Sequence, residues 1–220
     1  MTTVGIIGLS RIVHGHPSGD GHLKELQTPD CHVIAYDPDD TRCGEMATKH
    51  GIKISPTKDG VIDHCDILLI ASPCNTHATY IEVSLGRVKT ILCEKPLADN
   101  FPRGQSLVNM AARYGTSLLV NFQRRWAPGV QAWCDGAKRG EWGKLQDQFS
   151  NGISYKGPHT EERFHRDACH GLDLLGACGL ESKDFDISVG SEFSFRAHYD
   201  RSELWVRKVT SFAPVWRNIF

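Results

Sequence analysis

A chain of 220 residues is long for one domain and short for two ordinary ones. Hydrophobic residues make up 40% of it and charged residues 23%, proportions that suit a globular protein with a sizeable core. The formal net charge of -1 gives no bulk reason to expect a nucleic acid or membrane partner, and no stretch approaches the roughly 18 consecutive apolar residues of a membrane span.

The chain enters a strand at once, from Thr3 to Ile7, so no signal peptide is expected and a reducing cytoplasm is the expected location. The eight cysteines agree with that: none forms a Cys-x-x-Cys pair, and free thiols are expected. His14, His16 and His22 are the densest group of histidines. No Cys or carboxylate stands at ligand spacing from them, so no metal site is expected.

After the first strand comes Gly8-Leu9-Ser10-Arg11-Ile12-Val13, the outline of a Gly-x-Gly-x-x-Gly turn in which glycines let backbone approach a pyrophosphate at a helix start. Only the first glycine is present; Ser10 and Val13 stand in the other two places. Ser10 is expected to cap the helix and offer its hydroxyl to a phosphate, and Val13 to hold the helix farther from the strand. Residues 14–21, rich in Gly, are expected as a loop, with helix resuming from His22 to Leu26. A second strand, His32 to Tyr36, ends at Asp37, where an adenosine ribose would be held. A carboxylate there repels a 2′-phosphate and favours NAD over NADP, with Arg42 keeping NADP as the alternative; an ordinary Asp-Pro turn is the plain reading.

Asp40 to His50 reads as a helix stopped by Gly51, and a short third strand follows near Ile52 to Ile54. Asp66 to Ala71 is apolar after its first residue, as a central parallel strand should be. It feeds Ser72-Pro73-Cys74-Asn75-Thr76-His77 and then a helix from Ala78 to Leu85. The apolar run from Thr90 carries Glu94-Lys95-Pro96 at its end. In parallel α/β sheets ligands sit outside the carboxyl ends of the strands, where Lys95 would stand. A surface lysine closing a turn is the alternative. A helix from Phe101 to Tyr114 and a strand from Ser117 to Asn121 complete an even βαβ rhythm, the pattern of a doubly wound parallel sheet.

The rhythm then breaks. Pro128 opens a helix running to Lys138, residues 144–154 read as a strand, and residues 155–165 as irregular. A short helix from Cys169 to Ala177 carries His170 and Asp173 one turn apart on one face. Two strands are expected in the tail, Ile187 to His198 and Leu204 to Phe212.

The order of the Gly8 turn, Asp37, Ser72-Pro73-x-Asn75-x-His77, Glu94-Lys95-Pro96, Asn121-x-x-Arg124-Arg125 and His170-x-x-Asp173 resembles the Gfo/Idh/MocA oxidoreductases from residue 3 to about 175. That resemblance implies an NAD(P)-binding Rossmann domain, residues 1–121. A reduced α+β domain with a small, mostly antiparallel sheet, residues 122–220, is expected to serve substrate binding and homo-oligomer formation. It implies hydride transfer between nicotinamide and a hydroxyl carbon of a sugar, polyol or nucleotide sugar, without a metal. Lys95 would bind the reacting oxygen and His170 act as acid/base, with Asp173 in the catalytic set. Gly8, Ser10, Arg11, Ile12, Asp37, Ser72, Pro73, Asn75, His77, Glu94 and Asn121 would form the cofactor side.

Three departures stand out: the degenerate glycine turn, Arg166 where the family carries an Asp ahead of its catalytic His (Asp167 follows), and a chain shorter than family members. They keep a second reading in view, a dinucleotide-binding sensor or interaction protein without turnover.

Overall fold

A computed structural model of the chain describes residues 1–15, 21–141, 169–170, 173–174 and 176–179, and three further strands as backbone. The chain divides into two units, Met1–Asn121 and Phe122–Phe220.

The first unit is a six-stranded sheet built from β1 (Thr2–Ile7), β2 (Cys31–Tyr36), β3 (Lys53–Ile54), β4 (Ile67–Ile70), β5 (Thr90–Glu94) and β6 (Ser117–Asn121). Every pairing is parallel and the spatial order is β3-β2-β1-β4-β5-β6. The direction of strand addition reverses between β1 and β4, which is where such sheets open a crevice for a ligand. Side-chain alternation sorts the core onto two faces. Ile7, Leu68, Ile70, Ile91 and Cys93 pack with Val61, Ile62, Ile81 and Leu107 on one side. Val4, Ile6, Leu69 and Ala71 pack with Val13, Leu23, Cys43 and Met46 on the other. Each fully buried Ile or Leu contributes about 1.5–3 kcal/mol, so β4, covered on both faces, anchors the sheet.

The helices are α1 (Arg11–His14), α2 (His22–Leu26), α3 (Asp40–His50), α4 (Lys58–Ile62), α5 (Cys74–Ser84) and α6 (Phe101–Tyr114). Local chemistry fixes their ends. Asp39 accepts the Arg42 amide and starts α3, while Asn100 accepts the Arg103 amide and starts α6. Helix α4 was not expected; Thr57 caps it by accepting the Gly60 amide at 3.1 Å. Helix α5 begins four residues before the expected Ala78, directly after Pro73, so Asn75 and His77 lie in its first turns rather than in a loop.

The second unit contains a 3-10 turn (Gln123–Trp126) and α7 (Pro128–Lys138), which matches the expected helix. Residues 169–170, 173–174 and 176–177 are helical, as expected. A three-stranded antiparallel sheet follows, β7 (Ser182–Val189), β8 (Phe193–Tyr199) and β9 (Glu203–Arg207), in the order β7-β8-β9. The single strand expected from Ile187 to His198 is therefore two paired strands, and among the described residues the sheet has three strands instead of two. The expected strand over 144–154, the irregular stretch over 155–165, Arg166, Asp167 and residues 208–212 lie outside the described residues, as do residues 16–20 of the expected loop.

Candidate functional site

The carboxyl ends of β1, β2, β4, β5 and β6 gather the first unit's candidate residues. Gly8 follows β1 with φ +93°, and a Cβ there would stand 2.5 Å from the Ser72 amide nitrogen. The turn after β1 is thus pressed against the end of β4, a closeness only glycine allows. Leu9 and Val13 are fully buried, whereas Ser10, Arg11 and Ile12 are exposed along the outer edge of the turn.

Ser10 departs from expectation. It occupies the N-cap position of α1 but makes no side-chain cap, and its hydroxyl donates instead to the Ala71 carbonyl at 3.3 Å. A one-turn helix offers little to cap, and the nearby end of β4 offers a carbonyl. Val13 does not merely space the helix from the sheet; it joins the core beside Val4, Ile6 and Leu9.

Asp37 stands just past β2, 4% exposed. Its Oδ2 accepts the Leu9 amide at 2.7 Å and its Oδ1 accepts the Asp39 amide at 2.9 Å. Nη1 of Arg42 donates to both oxygens, at 2.9 and 3.0 Å. That bond to Asp37 holds the Arg42 guanidinium more firmly protonated than usual. The carboxylate therefore braces the Gly8 turn directly, a role beyond the ribose contact expected of it.

Ser72 and Pro73 follow β4, with Asn75 exposed in the first turn of α5. His77 is 1% exposed. Its Nε2 lies 2.8 Å from the Ser72 carbonyl and its Nδ1 2.8 Å from the Pro96 carbonyl. A ring held this way ties the turn after β4 to the turn after β5. Any effect on a nicotinamide would pass through those turns.

At the end of β5, Glu94 is 6% exposed and Lys95, next in line, is half-buried. Oε1 of Glu94 lies 2.7 Å from His22 Nε2 and 2.7 Å from Asn121 Nδ2. Burial opposes the charge on Glu94, but the bonds from His22, Asn121 and the Lys95 amide together outweigh it and hold the carboxyl below its ordinary range. His22 was expected as a helix start and as part of a histidine cluster, and no sequence signal joins it to Glu94, 72 residues away.

In the second unit, His170 is 4% exposed and meets the Phe122 ring edge-on, with centroids 6.1 Å apart. Asp173, 5% exposed at its side chain, takes a two-point hydrogen bond from Arg125, one arm from Nε at 3.0 Å and the other from Nη2. Arg125 is thereby held more firmly charged than usual. The pair fastens the helical residues that carry His170 to the 3-10 turn. The eight cysteines are free thiols, Cys134 and Cys178 lying 3.2 Å apart at sulfur. Among the described residues no group of three His, Cys, Asp or Glu side chains is placed to hold a metal ion, and no helix is long and apolar enough to cross a membrane.

The residues at the strand ends fit a dinucleotide. Backbone at Gly8 comes close enough to exclude any side chain, an arginine and a hydroxyl lie exposed beside it, and a buried carboxylate ends the neighbouring strand.

Comparison with known proteins agrees. The myo-inositol dehydrogenase Hyg17 of Streptomyces leeuwenhoekii is 29% identical over 148 residues, 66% of this chain and 43% of that one. The inositol 2-dehydrogenase of Rubrobacter xylanophilus is 31% identical over 131 residues, 57% of this chain and 36% of that one. The match thus spans less than half the length of either relative. A crystal structure of a probable dehydrogenase from Thermotoga maritima superposes with a TM-score of 0.72 at 20% identity, covering 93% of this chain and 68% of that one, which shows the fold. The model of the Gfo/Idh/MocA oxidoreductases, a family described by its NAD-binding Rossmann fold, matches residues 2–122, more than half of the sequence, and the chain belongs to that family.

Proposed function

We propose that this chain is an NAD-dependent oxidoreductase that moves a hydride between nicotinamide and a hydroxyl carbon of a sugar or polyol. The observation that carries the reading is the setting of Lys95. It leaves the carboxyl end of β5 between a carboxylate held by two side chains and a carbonyl held by His77. A lysine rooted so firmly at the mouth of a parallel sheet is oddly placed for a mere turn residue.

Oxidising a secondary alcohol requires a base for the hydroxyl proton and a cation beside the oxygen as negative charge builds on it. Nicotinamide, when bound, supplies the hydride acceptor. Lys95 provides the cation. His170 takes the hydroxyl proton, or returns it in the reverse direction, because an imidazole exchanges protons near neutrality. Residues 1–121 hold the dinucleotide, with Gly8, Ser10, Arg11 and Ile12 at the phosphates and Asp37 at the adenosine ribose. Residues 122–220 supply His170, substrate contacts and a self-association surface. NAD is favoured over NADP because Asp37 repels a 2′-phosphate and Arg42 already spends its charge on Asp37. Eight free thiols suit a reducing cytoplasm.

The test is Lys95→Met, assayed with isotope-labelled NADH and a panel of keto-sugars and inosose-type ketones. Inosose-type ketones come first because two relatives are named inositol dehydrogenases. Turnover should fall by about two to four decades, the usual range for one charge-stabilising or proton-transfer group. NADH binding followed by fluorescence should hardly move, and Lys95→Arg should fail too, because a planar fork does not replace a compact ammonium. Unchanged turnover, or loss of NADH binding, refutes the role.

A further inference from the structure

We propose that His22 is a positioning residue for Lys95, acting through Glu94. The inference rests on the reading of Lys95 given above. His22 opens α2, far from β5 in sequence, and lies outside the motifs that carry the family resemblance. Its Nε2 donates to Glu94 Oε1 at 2.7 Å, and the same oxygen accepts from Asn121, the residue paired in register with Glu94 across β5 and β6. Glu94 is buried, while the His22 side chain is 23% exposed, so the anchor reaches inward from the surface.

The route to Lys95 is short. Lys95 follows Glu94 directly at the end of β5, so the way the Glu94 side chain is held bears on the peptide from which the lysine projects. A buried carboxylate tolerates few missing partners. Without His22, Glu94 keeps Asn121 but loses its charge-assisted donor. The carboxylate then turns toward what remains or takes up a proton, and either change moves the first atoms of Lys95. On the far side, His77 holds the Pro96 carbonyl, so the displacement has to be absorbed at Lys95 itself.

The plainer alternative is an ion pair that only adds stability. Two variants of the full chain separate the two. His22→Leu removes the donor and keeps bulk; His22→Gln keeps an N–H within reach. The first readout needs no turnover: trace acetylation by acetic anhydride, with Lys95 labelling measured against exposed Lys53 by peptide mass spectrometry. His22→Leu should change that ratio by about threefold or more, and lower turnover by about 10- to 100-fold, the scale of a displacement near 1 Å. NADH affinity should stay within about threefold, and His22→Gln should bring both ratio and turnover back toward wild type.

An unchanged labelling ratio in His22→Leu overturns the proposal, as does a Gln variant no better than the Leu variant. If His22→Leu does not fold, His22→Asn takes its place, because its amide stops one bond short of Glu94; a normal ratio there overturns the proposal equally. The two readings fail separately. Full turnover in Lys95→Met removes the role of Lys95 and leaves the labelling result standing. A normal labelling ratio removes the role of His22 whatever Lys95→Met does.

Discussion

Replacing Gly8 with alanine probes the first unit's tightest crossing. Two costs arise there. The backbone at Gly8 has φ +93°, which costs a side-chain-bearing residue about 1–3 kcal/mol. The new Cβ would also lie 2.5 Å from the Ser72 nitrogen and 2.6 Å from its Cα, and ordinary contact begins at 3.4 Å. Both neighbours are backbone atoms, so no flexible side chain can give way. Opening the gap means sliding the β1 turn from the end of β4, against the Gly8 amide bond to Tyr36 at 2.9 Å and the Ala71 amide bond to Ile7 at 2.8 Å. Weakening those adds roughly 1 kcal/mol each. The expected loss is about 3–5 kcal/mol. Gly44→Ala is the internal control. It sits inside α3 with nothing within 4 Å of its Cβ position, and alanine there should stabilise by about 0.5–1 kcal/mol. The assay is urea unfolding followed by circular dichroism, because all five tryptophans lie beyond residue 121 and their fluorescence reports the second unit. A Gly8→Ala variant within about 0.5 kcal/mol of wild type, or one less harmed than Gly44→Ala, refutes the reasoning.

Three other outcomes are expected. Calorimetric titration should show NADH binding more tightly than NADPH, and Asp37→Ser should narrow the gap by removing the repelling carboxylate and releasing Arg42; NADPH binding as tightly to the unaltered protein sinks the preference. Glu94 should make stability acid-sensitive. Its carboxyl is held below the ordinary value of 4.5, so its contribution is complete above that pH and is lost as pH falls through the lowered folded value. Glu94→Gln should flatten urea midpoints measured from about pH 6 down to 3, and parallel losses in both proteins count against this. Light scattering should report self-association, because among the described residues β7 and β9 are the outer strands of their sheet; a monomer at high micromolar concentration contradicts it.

What was legible in the sequence follows from what each feature depends on. Strands β4 and β5 and helix α6 declared themselves because burial on both faces, or an amphipathic stripe closed by Gly115, leaves a local pattern. Gly8, Asp37 and Lys95 were legible for a related reason: each lies where a periodic run stops, and parallel sheets collect such places at one edge. The start of α5 was hidden, because Cys74-Asn75-Thr76 is polar and reads as loop until Pro73 is taken as a helix start. The division of residues 187–198 between β7 and β8 was hidden too. Gly190-Ser191-Glu192 between the two strands held a turn signal that the alternation on either side outweighed. Tertiary bonds leave no such trace. Ser10 chose a carbonyl over a cap, and His77 chose two carbonyls, which carry no residue code. The His22–Glu94 bond joins residues whose spacing has no periodic meaning.

Those hidden bonds bear on how much of the site is ready before a substrate arrives. His22 and Asn121 hold the Glu94 side chain on one side of Lys95, and His77 holds the Pro96 carbonyl on the other. The two bonds to the Glu94 carboxylate are worth about 1.5–3 kcal/mol apiece and the bond to the Pro96 carbonyl about 0.5–1.5 kcal/mol. They do not reach the ammonium, which ends a four-carbon stem carrying about 2 kcal/mol of rotamer entropy. The anchors therefore settle where Lys95 starts, and the partner that meets its ammonium settles where it ends. An effect at the root should thus appear in turnover and in labelling of Lys95 more than in affinity for the dinucleotide, whose proposed contacts lie at Gly8 and Asp37 on other strands.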